Sequence, residues 1–244
     1  MNYGLISAAA LLIALILIFI TYEKQNTSIK EISLVATLSG LAGVSRVPFA
    51  AIPNVQPTTF LVIISGYIFG PKYGFTVGIV ATIVSNSFLG HGPWTPWQML
   101  AWGMAGFSAG VLKHILKTPS KWILSIFAFA WGFLFDYIMN LWHWLFFIYP
   151  LNLKSFIAVY AASFYFDLMH AVSNFIFVYL FGADFAKILQ RFKDRLSFTE
   201  MPYEKIDEWR DKCEKDYCFN PYCFNKSNKF YFCSKSKCNS KSFE

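Results

Sequence analysis

Apolar residues along this chain run in blocks longer than the strands or amphipathic helices of a water-soluble domain. Residues 5–22 carry no charge and are nearly all aliphatic, and a helix needs roughly 20 such residues to cross the hydrocarbon of a bilayer. Six more blocks follow, at about 32–49, 58–70, 73–89, 95–116, 122–149 and 155–185. The pattern therefore predicts seven membrane-crossing helices. The block at 58–70 is short, and only Pro71 and Lys72 separate it from the next. That predicts a tight helical hairpin in which Gly66, Gly70, Gly74 and Gly78 let the backbones approach closely. The last two blocks are longer than a bilayer is thick, so they are expected to tilt or to project beyond it.

Charge sharpens this picture. Only 14% of residues are charged and 56% are hydrophobic, whereas a soluble domain carries about a quarter charged residues. Residues 1–186 hold 13 charged side chains and residues 187–244 hold 22. Such a chain cannot be wetted on the outside of a soluble fold, which excludes a Rossmann or barrel enzyme, a nucleic-acid domain and a secreted disulfide scaffold. The net charge of +7 is spread over loops and tail rather than gathered on one face, so no nucleic-acid partner is expected. The expected partners are membrane lipid and a small molecule.

Basic residues set the expected orientation. Alternate loops and the C-terminal tail hold Lys24, Lys30, Lys72, Lys113, Lys117, Lys121, Lys187, Arg191, Lys193 and Arg195, while the opposite loops hold only Arg46 and Lys154. This places the C-terminus in the cytoplasm and the N-terminus outside, in a multi-pass protein of the cell membrane. The first block could be a cleaved signal peptide, but it lacks a basic leading segment and a small-x-small cleavage site. The polar tail at 190–244 is expected to contain a surface helix at 200–215 and otherwise little order. Its cysteines, Cys213, Cys218, Cys223, Cys233 and Cys238, lack the close C-x2-C spacing of zinc knuckles. Their odd number and a reducing compartment argue against a disulfide framework. No metal is expected.

Ionisable groups inside a membrane are costly and mark cavities or partners. Asp136, Asn140 and His143 stand at i, i+4 and i+7, on one face of a helix; Asp167, His170 and Asn174 share a face of the next. The two helices run antiparallel, which puts both aspartates near the midplane. Interhelical packing bonds of about 0.6–2 kcal/mol would account for the asparagines. Two aspartates and two histidines in matched stripes point instead to a functional cavity; a proton relay would leave the aromatic groups of the outer loops unexplained, and a metal site at Asp136, His143, Asp167 and His170 has suitable ligand types but is not the expected reading. No catalytic motif accompanies them, so an enzyme is not expected.

Two loops on the outer side add candidates. Residues 46–57 read R-V-P-F-A-A-I-P-N-V-Q-P, where three prolines forbid a simple helix; irregular backbone at membrane depth is tolerated where it lines a cavity. Residues 90–98 read G-H-G-P-W-T-P-W-Q and present His91, Trp94, Trp97 and Gln98, with Asn86 one turn before. An interfacial aromatic belt accounts for Trp144 and Tyr149, whereas Trp94 and Trp97 suit a lid over a ligand. Arg46 can snorkel to lipid phosphate or anchor an anionic group.

The hairpin F-L-V-I-I-S-G-Y-I-F-G-P-K-Y-G-F-T-V-G at 60–78, with I-P-N-V-Q-P and G-P-W-T-P-W-Q, resembles the substrate-binding S components of energy-coupling factor (ECF) vitamin transporters. The resemblance covers about 31–189. It implies an all-α, six-helix bundle with a high-affinity site at the outer face, plus one extra N-terminal helix at 1–30. It also implies a transmembrane coupling subunit and two cytosolic ATPases as partners. This chain lacks a G-x-x-x-x-G-K-[ST] phosphate loop, so ATP would be used by the partners and no cofactor is expected here. Arg46, Asn54, Gln56, Asn86, His91, Trp94, Trp97, Gln98, Asp136, Asn140, His143, Asp167 and His170 form the expected substrate site. The family's Ala-x-x-x-Ala docking motif has an inexact counterpart in Ala36, Ser39, Gly40 and Gly43. The function expected is capture of a vitamin or related heterocyclic micronutrient, with a corrinoid favoured. The alternative is a stand-alone ion-coupled permease using Asp136, Asp167 and His170.

Overall fold

The computed structural model describes residues 29–116 and 120–197, single helical positions at Ala9, Leu12, Ile13 and Ile16, and three short strands between 222 and 239. The expected first span at 5–22 and the surface helix at 200–215 therefore lie largely or wholly outside the described residues.

Six helices follow one another: α1 (Ile29–Val44), α2 (Pro57–Phe69), α3 (Pro71–Leu89), α4 (Thr95–Ile115), α5 (Lys121–Phe147) and α6 (Leu153–Ser197). Local chemistry sets their ends. Proline stands in the first turn of α2, α3 and α4, where its missing N–H costs nothing. Gly70 and Gly90, at φ 108° and 101°, end α2 and α3 in backbone that a side chain resists. The block expected as one helix at 32–49 breaks after Val44, because the ring of Pro48 would clash with the carbonyl four residues earlier. The chain turns through a 3-10 segment, Val47–Phe49, instead. The α6 helix runs on well past 185, and its 45 residues span about 65–70 Å at 1.5 Å per residue.

By length and composition, Glu31–Phe49, Lys121–Phe147 and Leu153–Asp194 can each cross a membrane. The short apolar α2 is buried along nearly its whole length, so neighbouring helices rather than lipid surround it. The α3 and α4 helices are less apolar because glycine, Ser85, Asn86 and Gln98 occupy their inward faces. Glycine brings these three helices together, although the partner differs from the one expected. A Cβ at Gly66 or at Gly74 would run into the carbonyl of Gly106, and one at Gly78 into that of Trp102. The hairpin glycines thus seat α2 and α3 on α4 more than on each other, and Gly70 has open space around it.

The bundle is apolar outside and polar within. Exposed positions include Ile126, Leu134, Phe164, Met169, Ile176 and Phe181, while Thr59, Asn86, Asp136, Asp167, His170 and Asn174 are buried. That inversion is what lipid as a solvent selects. A second compact unit, Phe192–Glu244, contains strands β1 (Tyr222–Phe224), β2 (Phe230–Ser234) and β3 (Lys237–Asn239) in antiparallel order β1-β2-β3. This regular pairing was not foreseen from the polar tail sequence; its register sets Cys233 opposite Cys238.

Candidate functional site

Three loops, 45–56, 90–94 and 148–152, stand at the same end of the up-and-down bundle, and the polar groups lie on the helices that they join. The first loop is a run of tight turns, with Phe49, Ala50 and Ile52 each donating a backbone bond to the residue three before. It closes on Asn54, whose φ of 55° is left-handed backbone that asparagine tolerates better than most residues. This turn aims the Asn54 side chain into the bundle. Its Nδ2 donates to Asp136 Oδ2 and to the Phe166 carbonyl, both at 3.0 Å, and its Oδ1 accepts from Gln56 Nε2 at 2.9 Å.

From Asp136 a hydrogen-bonded chain runs inward. His170 Nδ1 lies 3.0 Å from Asp136 Oδ2, Thr59 Oγ1 lies 2.9 Å from His170 Nε2, and Trp102 Nε1 donates to Thr59 Oγ1 at 3.0 Å. An indole can only donate, so the Thr59 hydroxyl is free to donate onward to Nε2. With Thr59 as that donor, His170 is in the tautomer that donates from Nδ1 to the carboxylate; a His170 that carries a proton on Nε2 would instead donate to Thr59, whose oxygen can accept two bonds. His170 and Trp102 are fully buried, and Phe135 meets both edge-on or tilted, at 5.0 and 4.8 Å between centroids.

A second cluster joins α5 to α6. Asn140 Nδ2 donates to Ser163 Oγ at 2.8 Å and to Asp167 Oδ2 at 3.0 Å, and Ser163 Oγ donates to the same oxygen at 2.9 Å. Each aspartate is thus bonded to a residue one turn along the other helix. A third cluster lies between α1, α3 and α4. Arg46 Nη1 donates to Ser85 Oγ and Asn86 Oδ1 at 3.3 and 3.2 Å, and its guanidinium sits 5.3 Å from the Trp102 ring centroid. Asn86 Nδ2 continues to Thr95 Oγ1 and Gln98 Oε1 at 3.2 and 2.7 Å. Through the face and the N–H of Trp102, this cluster connects with the Asp136 chain.

Some buried atoms in these clusters have no partner. They are Gln56 Oε1 and Asp167 Oδ1, which accept, and Trp97 Nε1 and Trp142 Nε1, which donate. Buried polar atoms are ordinarily bonded, and Ser39 Oγ and both amide atoms of Asn174 are unpartnered as well. Trp94 lies beside Trp142, ring to ring at 5.8 Å, and Gly92 makes room for the Trp94 indole, since a Cβ there would strike it.

Most residues expected at the site come together here, but some do not. His91 and His143 are exposed, and the His143 ring lies against the Trp142 and Phe147 rings. His143 stands in the last turns of α5, near the helix end at Phe147, and is exposed there, so it does not join Asp136, Asp167 and His170 as the metal-ligand alternative requires. Asn174 is fully buried with neither amide atom bonded. In α1, Ala36 is exposed and an added Cβ at Gly40 meets open space, whereas Ser39 is buried and Gly43 packs on Val84 and Ala81. Ser39 and Gly43 are therefore contacts within the bundle, and only the Ala36–Gly40 pair is open to a partner. Thr59, Trp102, Ser85, Thr95 and Ser163 are members that the sequence reading overlooked. Ser163 carried a usable signal, standing four residues before Asp167 on the same face.

A helical bundle that is apolar outside, with buried polar clusters between its helices, has the build of a membrane protein. Residues 26–189 match the family described as ECF-type riboflavin transporter, S component, and the chain belongs to that family. Relatives include a UPF0397 protein of Aliivibrio fischeri (strain MJ11), 29% identical over 98 residues, 38% of this chain and 53% of the relative. A UPF0397 protein of Streptococcus gordonii is 32% identical over 96 residues, 37% of this chain and 50% of the relative. The chain thus spans about half the length of the curated relatives it matches. No solved structure matches it.

Proposed function

We propose that this chain is the substrate-binding subunit of an ECF-type importer, capturing a flat, vitamin-like heterocycle at the loop end of the bundle. The observation that carries this is the set of unpartnered donors and acceptors, Gln56, Trp97, Trp142 and Asp167, buried in the loops and the helices that they join. Aromatic walls flank them, and such walls suit a planar ring. The family's description names riboflavin, which favours a flavin-sized ring over a corrinoid. The loop end faces outward by the distribution of basic residues. Transport then requires a coupling subunit, docked on the open Ala36–Gly40 stripe, and ATPases that supply the energy.

The test is to purify the protein in mild detergent from cells grown on rich medium, then identify retained small molecules by absorbance and mass spectrometry. A stoichiometric heterocycle that is lost from a Trp94→Ala, Trp97→Ala double variant is the expected result. An empty protein that also ignores a vitamin panel would overturn the proposal. The buried Asp136–His170 pair, 3.0 Å apart in the bundle interior, favours the ion-coupled permease as the second reading.

A further inference from the structure

We propose that Cys233 and Cys238 are a redox pair, two thiols that close into a cross-strand disulfide when a disulfide oxidant reaches the tail and open again when it is withdrawn. Nothing in this depends on the small molecule that the bundle binds. Its basis is the register of the three-stranded sheet, in which Cys233 on β2 stands directly opposite Cys238 on β3, one step from the Ser234–Lys237 pair that ends the hairpin. Directly opposed residues of an antiparallel pair lie about 4.5–5.5 Å apart between Cα atoms, inside the roughly 4.4–6.8 Å that a disulfide spans. A third cysteine shares that face without competing. Cys223 on β1 is opposite Tyr231, two residues before Cys233. That makes it a diagonal neighbour of Cys233, at about 7–8 Å and beyond the reach of a disulfide.

Sequence distance does not single out this pair. Cys213–Cys218, Cys218–Cys223 and Cys233–Cys238 each enclose four residues, so a chain without the hairpin would close all three with similar ease. The register chooses one. Charge favours the reaction as well: residues 226–241 hold Lys226, Lys229, Lys235, Lys237 and Lys241 and no acidic residue, and neighbouring cations favour the thiolate, which is the nucleophile. The thiolate of one cysteine attacks a low-molecular-weight disulfide, forming a mixed disulfide and releasing one small thiolate. The thiolate of the other cysteine then attacks the protein sulfur of that mixed disulfide, forming the Cys233–Cys238 bond and releasing the second small thiolate. The two cysteines are oxidised, the small disulfide is reduced to two thiols, and the cysteine protons end on those thiols. In a reducing compartment the pair stays open, so it is a switchable bond and not a disulfide framework.

The test equilibrates the full chain in detergent, under argon, with glutathione buffers of rising disulfide content, blocks free thiols by alkylation and maps linked tryptic peptides by mass spectrometry. Lys235 and Lys237 lie between the two cysteines, so a bonded pair emerges as two joined peptides. The Cys233–Cys238 link should exceed Cys213–Cys218 and Cys218–Cys223 at least tenfold, fall to less than threefold over them in denaturing guanidinium chloride, and reopen with dithiothreitol. Cys223→Ser should leave its yield within twofold. Similar yields of the three pairings in the folded chain overturn the inference. So does a dominant pairing with Cys223, and so do Cys233 and Cys238 thiols that stay open to alkylation at every ratio. Stoichiometric zinc that a chelator must remove before either thiol reacts overturns it too, in favour of a metal site.

Discussion

Asn54 offers the sharpest test of how the loop end is held, because two separate costs meet in one residue. Replacing it by alanine removes the donor to Asp136 Oδ2, the donor to the Phe166 carbonyl and the acceptor for Gln56. Depriving a buried charged acceptor of a donor costs about 1–3 kcal/mol. Alanine must also hold the φ of 55° that the turn requires, at a further cost of about 1–2 kcal/mol. Asn54→Ala should thus destabilise the bundle by roughly 2–5 kcal/mol. Asn54→Gly loses the same bonds but accepts the backbone, giving back about 0.5–1 kcal/mol through the freedom it adds to the unfolded chain. The glycine variant should then be no worse than alanine, yet clearly weaker than the wild type. Reversible unfolding in mixed SDS and dodecylmaltoside micelles, followed by tryptophan fluorescence, measures both. If either variant falls within about 0.5 kcal/mol of the wild type, a typical effect of substitutions away from such features, the Asn54 bridge does not hold the site together.

Gly106→Ala places a Cβ against the Gly74 carbonyl and should cost at least the about 1–3 kcal/mol of an overpacked core, read as a lowered unfolding midpoint; an unchanged midpoint would contradict the close packing of α3 on α4. Gly40→Ala, with open space around it, serves as the control and should be neutral or slightly stabilising. Gly40→Leu should leave folding and small-molecule retention intact while reducing co-purification with a coupling subunit by tenfold or more; undiminished assembly would move docking off this stripe. In liposomes containing only this chain, a proton gradient should drive no uptake of the retained small molecule. Gradient-driven uptake that His170→Gln abolishes would favour the ion-coupled alternative.

Much of the bundle is legible in the sequence because lipid imposes a single long-range rule on composition, and proline and glycine mark the breaks between blocks. The starts of α2 through α5 follow from Pro57, Pro71, Pro96 and Ser120 almost to the residue. The break after Val44 is also written in the chain, as Pro48, but hydropathy averaged over a block conceals it. The facing stripes on α5 and α6 bring Asp136, Asn140, Asp167 and His170 to the interior, where the structure joins them in two pairs, Asn140 with Asp167 and His170 with Asp136. What periodicity could not supply is the contribution of neutral residues on other helices. Thr59 and Trp102 look like ordinary members of apolar helices, and only tertiary packing makes them the end of the Asp136 chain. His143 fails for the opposite reason: it shares the stripe, but it stands four residues from the end of α5 at Phe147, where the bundle no longer covers its ring.

The way the two parts of the bundle are joined gives the polar site its position. In α2, α3 and α4 the contacts are backbone on backbone, through Gly66, Gly74 and Gly106, an arrangement with little room to adjust. Between α5 and α6 one close approach, Gly132 on Ala171, is flanked by rings such as Tyr137 on Tyr160 and Trp144 on Phe156, with polar pairs setting the register. The clusters cross the seam between these parts: Asn54, Gln56, Thr59 and Trp102 come from one side, and Asp136, Asp167, His170 and the Phe166 carbonyl from the other. Across that seam Asn54 and Thr59 make hydrogen bonds, while Gln56 Oε1 and Asp167 Oδ1 lack donors. A molecule that satisfies both would add a cross-link between the close-packed helices and the α5–α6 pair. On the proposed reading, binding energy at this seam would also hold the two parts in one arrangement, and an occupied bundle would differ from an empty one in how firmly α5 and α6 are tied to the glycine-packed helices.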